Sequence, residues 1–134
     1  MIFLKFAKNA SSYHRITGEI LEEILPSVKI EQEKCLYIDG VTQSGAAKKL
    51  HADFFIPAYK LMIEVDGELH YKPGFDREKS YQNLKHRKTL DNRKDYYAIQ
   101  NGWNILRIPY WEFKDKNNVK DIIIDKINSI IEEW

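Results

Sequence analysis

Two short apolar runs, Ala52–Ile56 (ADFFI) and Leu61–Val65 (LMIEV), sit four residues apart around Pro57 and end at Gly67. Runs of this length and composition, punctuated by turn residues, predict a β-hairpin. A turn centred between Ala58 and Tyr59 puts Ile56 across from Leu61 and Asp53 across from Glu64. Side chains alternate along a strand, so Asp53, Phe55, Met62, Glu64 and Asp66 share one face. Ala52, Phe54, Ile56, Leu61, Ile63 and Val65 form the other face, which is entirely apolar. Facing Cβ atoms lie about 4.5–5.5 Å apart, and like charges there repel. A solvated acidic face is the plain reading of these carboxylates. A divalent cation would give the opposed pair a purpose, and that is the expectation carried forward.

The remaining elements follow from periodicity. Ile16, Ile20, Leu21, Ile24 and Leu25 recur at helical spacing within Ser11–Leu25, and Pro26 closes that segment. Val28–Ile38 reads as a strand turning at Asp39-Gly40, and Val41–Leu50 as a polar loop. A basic helix is expected within Asp76–Gln100, stopping at Asn101-Gly102, followed by a strand over Trp103–Pro109. A final helix begins near Asn117-Asn118 with an apolar stripe of Val119, Ile122, Ile123, Ile127, Ile130, Ile131 and Trp134. The order α-β-β-β-α-β-α fits an α/β fold with a mixed sheet flanked by helices. Trp103, Tyr110, Trp111 and Phe113 are expected to pack under the last helix.

At 134 residues, 1–134 is expected to be a single domain. No apolar run approaches the roughly 18 residues of a membrane span. Cys35 is the only cysteine, so no internal disulfide forms and a cytoplasmic setting is expected. Net charge is only +1, but Arg77–Lys94 is rich in Lys and Arg, and Lys48 and Lys49 precede the hairpin. Cations flanking an acidic pocket suit a phosphate polymer, so Lys48, Lys49, Lys85, Arg87 and Lys88 are the expected nucleic-acid contacts. The plain alternative for such a run is a solvated helix face.

Asp53, IEVDG at Ile63–Gly67, His70, Asp91 with Lys94, and GWNILRI at Gly102–Ile108 together resemble the PD-(D/E)xK nucleases. Among these, the chain is similar to the branch related to very-short-patch-repair endonucleases, from about Glu19 to Trp111. The resemblance implies a restriction-endonuclease-like core of helix, three strands, helix and strand. It also implies a magnesium-dependent DNA endonuclease, with manganese as a substitute. Asp53, Glu64 and the Val65 carbonyl would hold the ion. The signature lysine of the superfamily is replaced by Asp66, itself an expected catalytic carboxylate, which leaves the general base open; His70 is the expected base. A first-helix glutamate often completes such sites, and Glu22 is the expected one. By resemblance Lys94 holds a phosphate, whereas Asp91 and Lys94 one helical turn apart also read as a surface ion pair. Specificity is expected from loops such as Val41–Leu50, from a homodimer, or from a larger nucleoprotein complex. The competing reading is a nucleic-acid-binding module of this fold that performs no chemistry.

Overall fold

The computed structural model describes residues 4–8, 10–42, 44–67 and 77–134, without the side chains of residues 77–81 and 83. Its helices are α1 (Ser12–Ile24), α2 (Arg77–Gln100) and α3 (Lys116–Glu132). Its strands are β1 (Glu31–Val41), β2 (Ala47–Ile56), β3 (Leu61–Asp66) and β4 (Asn104–Pro109). They form one mixed sheet in the order β1-β2-β3-β4, antiparallel except for the parallel pair β3/β4.

The hairpin register is the one the turn residues predict: Phe54 faces Ile63, Phe55 faces Met62, and Ile56 faces Leu61. Pro57–Tyr59 makes a 3-10 turn, and Lys60 closes it in the left-handed region at φ 46°, its N–H donating to the Pro57 carbonyl at 3.1 Å. The two sheet faces bury separate clusters. Phe54, Ile56, Leu61 and Ile63 pack with Ile20 and Leu21 of α1 and with Val119, Ile123, Ile127 and Ile130 of α3. Leu36, Ala52, Phe55 and Met62 pack with Ala98 of α2. Fully burying each aliphatic side chain contributes about 1.5–3 kcal/mol, so both faces hold the sheet in place.

Several expectations are corrected. Val41–Leu50 is mostly strand: β1 continues through Asp39-Gly40 to Val41, and β2 begins at Ala47. The reversal lies at residues 42–46, where Gly45 takes φ +89° and Thr42 closes the turn. Gly40 is needed for packing: a Cβ there would meet Leu50 Cδ2 at 2.6 Å and Leu90 Cδ2 at 2.9 Å. Ala52 lies in the α2-side cluster and not with Phe54. Trp103 packs on Phe55 and Tyr97 on the α2 side, opposite the last helix, while Phe113 joins the α3 side. Trp134 is exposed and lies past the end of α3.

Candidate active site

The site begins where the β2/β3 ladder stops. Beyond Phe54↔Ile63 the two backbones part, and the Val65 N–H donates instead to Asp53 Oδ2 at 2.7 Å. Asp53 therefore substitutes for a strand carbonyl through one oxygen, while the other lies 3.9 Å from His14 Nδ1. The register places Glu64 beside it, buried to 2% exposure. Burial, then the Asp53 charge and a hydrogen bond with it, push the Glu64 carboxyl well above the usual carboxylate range, against the pull of Lys94 and Arg107. Glu64 Oε1 is buried and accepts no hydrogen bond among the described residues. Lys94 Nζ lies 3.2 Å away at ion-pair distance.

A cleft of about 520 Å³ opens over this pair. Lys48, Lys49 and His51 of β2 line one wall, and Arg87, Asp91 and Lys94 of α2 line the other. Lys94 reaches Glu64 because α2 is clamped by Arg107 of β4. Its guanidinium reaches Asp95 Oδ1 at 2.7 Å, Asp66 Oδ1 at 3.2 Å, Asp91 Oδ1 at 3.6 Å and the Asp91 carbonyl at 3.2 Å. Burial alone would lower the Arg107 pKa, but the Asp95 hydrogen bond and the three carboxylates hold it above its ordinary value. Four residues thus tie β3, β4 and α2 together one turn from Lys94. Lys94 and Asp91 face the sheet with these partners, so the surface-pair reading does not describe them.

The expected residues divide accordingly. Asp53, Glu64, Val65 and Lys94 come together at one cleft with Lys48, Lys49 and Arg87. Lys85 and Lys88 are exposed on α2 and do not line it. Asp66 is 4% exposed and engages Arg107. Glu22 accepts a hydrogen bond from the Leu4 N–H and so serves the N-terminal segment. His70 lies outside the described residues. The residue that α1 presents to Asp53 is His14, with Nδ1 3.9 Å from Asp53 Oδ1 and the ring stacked 4.4 Å from Phe54. Gln32 Oε1 sits 2.6 Å from His14 Nε2, while its amide nitrogen donates to the Lys5 carbonyl. Its sequence signal was slight: a histidine three residues after the Ser11 cap, one helical turn before the buried Thr17 and Gly18.

Among the described residues no three His, Cys, Asp or Glu side chains converge as a cation cage. Two carboxylates with a main-chain carbonyl is nonetheless a set of hard oxygen donors of the kind magnesium accepts, since that ion retains several waters. The donor chemistry and the closeness of the Asp53 and Glu64 carboxylates fit such an ion.

A mixed four-stranded sheet with helices on both faces, and acidic residues where two central strands part, defines a restriction-endonuclease-like α/β domain. A solved structure with this fold is the "Homing Endonuclease I-Bth0305I Catalytic Domain". It is 21% identical with a TM-score of 0.54, over 91% of this chain and 99% of that one. No family model and no curated protein matches the chain.

Proposed function

We propose that this chain is a metal-dependent endonuclease acting on DNA, of the PD-(D/E)xK type and similar to its very-short-patch-repair branch. The observation that carries the reading is the Asp53–Glu64 pair, held together beneath a basic-walled cleft with Glu64 buried and Lys94 beside it. The homing endonuclease fold supports it.

Asp53, Glu64 and the Val65 carbonyl would hold magnesium, or manganese in its place. When bound, the ion acidifies a water and stabilises charge on a phosphoryl oxygen. The protein's own residues do the rest. The Val65 N–H fixes the Asp53 carboxylate. Burial excludes water from Glu64. Lys94 supplies a point charge beside Glu64 from α2, where position 66 carries Asp66 in place of a lysine, and is suited to hold a phosphate. Lys48, Lys49 and Arg87 would attract and position the backbone through counterion release. The inactive-module alternative gives the neighbouring Asp53 and Glu64 carboxylates no role. Incubating the protein with plasmid and short single-stranded DNA in magnesium, manganese or EDTA tests the proposal. Cutting in either metal and none in EDTA is expected; robust cutting in EDTA by pure protein rejects the metal mechanism.

A further inference from the structure

The ends of β1 and β2 run on past the cleft wall as a paired extension. Val41 and residues 44–49 are exposed in sequence, and Thr42 is half-buried. The strands stay paired to the tip, with Asp39↔Lys49, Gly40↔Lys48 and Val41↔Ala47. The tip carries its own bonds: Thr42 N–H to the Ala46 carbonyl at 2.8 Å, Gly45 N–H to the Thr42 carbonyl at 2.9 Å, and Ala46 N–H to Thr42 Oγ1 at 3.1 Å. It is a preformed two-stranded finger, slim because Ser44, Gly45, Ala46 and Ala47 are small.

The finger has a definite root. Gly40 sits so close to Leu50 and Leu90 that a Cβ there would push their side chains aside, and Arg93 Nη1 donates to the Asp39 carbonyl at 3.1 Å. Below the root, three residues of β1 oppose one of β2 between the pairs Cys35↔His51 and Asp39↔Lys49. Tyr37 takes φ 55° inside that bulge, a device that bends and twists a strand pair away from its sheet. Above the root the finger is a continuation of the cleft wall, since Lys48, Lys49, Leu50, His51 and Asp53 all line the cleft along one strand.

We infer that this finger is the groove-reading element of the protein and that its partner is B-form duplex DNA; the inference rests on the nuclease reading and deepens it. The major groove, about 12 Å wide and 8.5 Å deep, admits a two-stranded β-ribbon. Lys48 and Lys49 supply the charge complementary to phosphates at the groove edge. Lys49 also pairs with Asp39 at 3.3 Å, an exposed pair too weak to compete with a phosphate. At about 3.3 Å per residue, the eight steps from Asp53 to Gly45 reach at most about 26 Å. Base contacts should therefore fall within roughly eight base pairs of the cut, at one pair per 3.4 Å. An A-form RNA helix has a deep, narrow major groove that such an element does not enter.

The test uses a full-length variant in which residues 42–46 are replaced by an Asn-Gly turn, which closes a two-residue hairpin on the Val41↔Ala47 pair. A second variant, Lys48→Ser with Lys49→Ser, keeps the loop and removes the charge. Fluorescence anisotropy in EDTA compares binding to a 30-base-pair DNA duplex, the matching RNA duplex and the DNA single strand, with thermal melts confirming folding. The shortened variant should lose at least about 10-fold on duplex DNA and less than about threefold on the other two. The double lysine variant should lose duplex affinity with a shallower salt slope. Duplex binding by the shortened variant within twofold of the parent, or equal loss on all three probes, would overturn the inference. So would a parent that binds no duplex. A parent that binds duplex through the finger but cuts in neither magnesium nor manganese would reject the nuclease reading and leave this one standing.

Discussion

Replacing Lys94 with Met removes the cation 3.2 Å from Glu64 Oε1 while keeping an apolar stem of similar length. At that distance the gross attraction is about 5 kcal/mol for an effective dielectric constant near 20. Desolvating both partners offsets much of it, since the Lys94 side chain is 17% exposed and that of Glu64 3%. Leaving a buried charge without its partner costs about 3–5 kcal/mol. Glu64 can avoid that cost by taking up a proton, because its pKa already lies well above 4.5 in the parent and rises further without Lys94. A raised carboxyl pKa means the folded state binds more protons than the unfolded chain, so its contribution to stability falls as pH rises. Parent and variant both hold a neutral Glu64 at pH 4.5 and differ there by less than about 1 kcal/mol. The gap opens as pH passes the parent's folded pKa, towards about 3 kcal/mol once Glu64 is ionised in both. Urea unfolding of both proteins in EDTA at stepped pH values reads this directly. A stability difference that stays constant from pH 4.5 to 8 refutes the reasoning.

Asp53→Asn should abolish cleavage and change metal-free stability by less than about 1 kcal/mol, because Asn Oδ1 still accepts from the Val65 N–H; magnesium should then raise the melting temperature of the parent but not of the variant. Arg107→Gln should cost about 3–5 kcal/mol in denaturant unfolding, since it strips the cation from buried Asp66; a loss below 1 kcal/mol would show the cluster is solvated. Substituting Lys85, Arg87 and Lys88 with Ala should weaken DNA binding and lower the slope of log K against log salt by about 0.9 for each phosphate that the variant no longer neutralises; an unchanged slope would assign that helix face to solvent. His70→Ala, if His70 is the base, should slow single-turnover cleavage by about 10²–10⁴-fold with little change in DNA affinity.

Much of the fold was legible because its signals are local. The hairpin register followed from where Pro57 and Gly67 stand, and α2, β4 and α3 from periodicity and from Asn101-Gly102. The β1–β2 ribbon was misread because Asp39-Gly40 is a turn dipeptide. It runs on as strand because Asp39, Gly40 and Val41 pair with Lys49, Lys48 and Ala47 of β2, which no local pattern reveals. The pairing of Asp53 with Glu64 was readable from strand alternation alone. The parting of β2 from β3 was not, since it depends on a side chain taking a backbone hydrogen bond. His14 and Arg107 were missed for one reason: each joins elements remote in sequence, Arg107 reaching Asp66 41 residues away. Glu22 sits at the border of the apolar stripe as expected, yet turns to the N-terminal segment, a partner with no pattern to mark it.

The most direct measurement is a crystal of the protein soaked in manganese, examined for anomalous scattering. A peak should stand between Asp53, Glu64 and the Val65 carbonyl, with those oxygens near the roughly 2.1 Å typical of a small divalent cation. Soaked crystals of Asp53→Asn should show no such peak. Absence of manganese from the parent's cleft, or a peak that persists unchanged in the variant, would contradict the claim that this carboxylate pair is a metal centre.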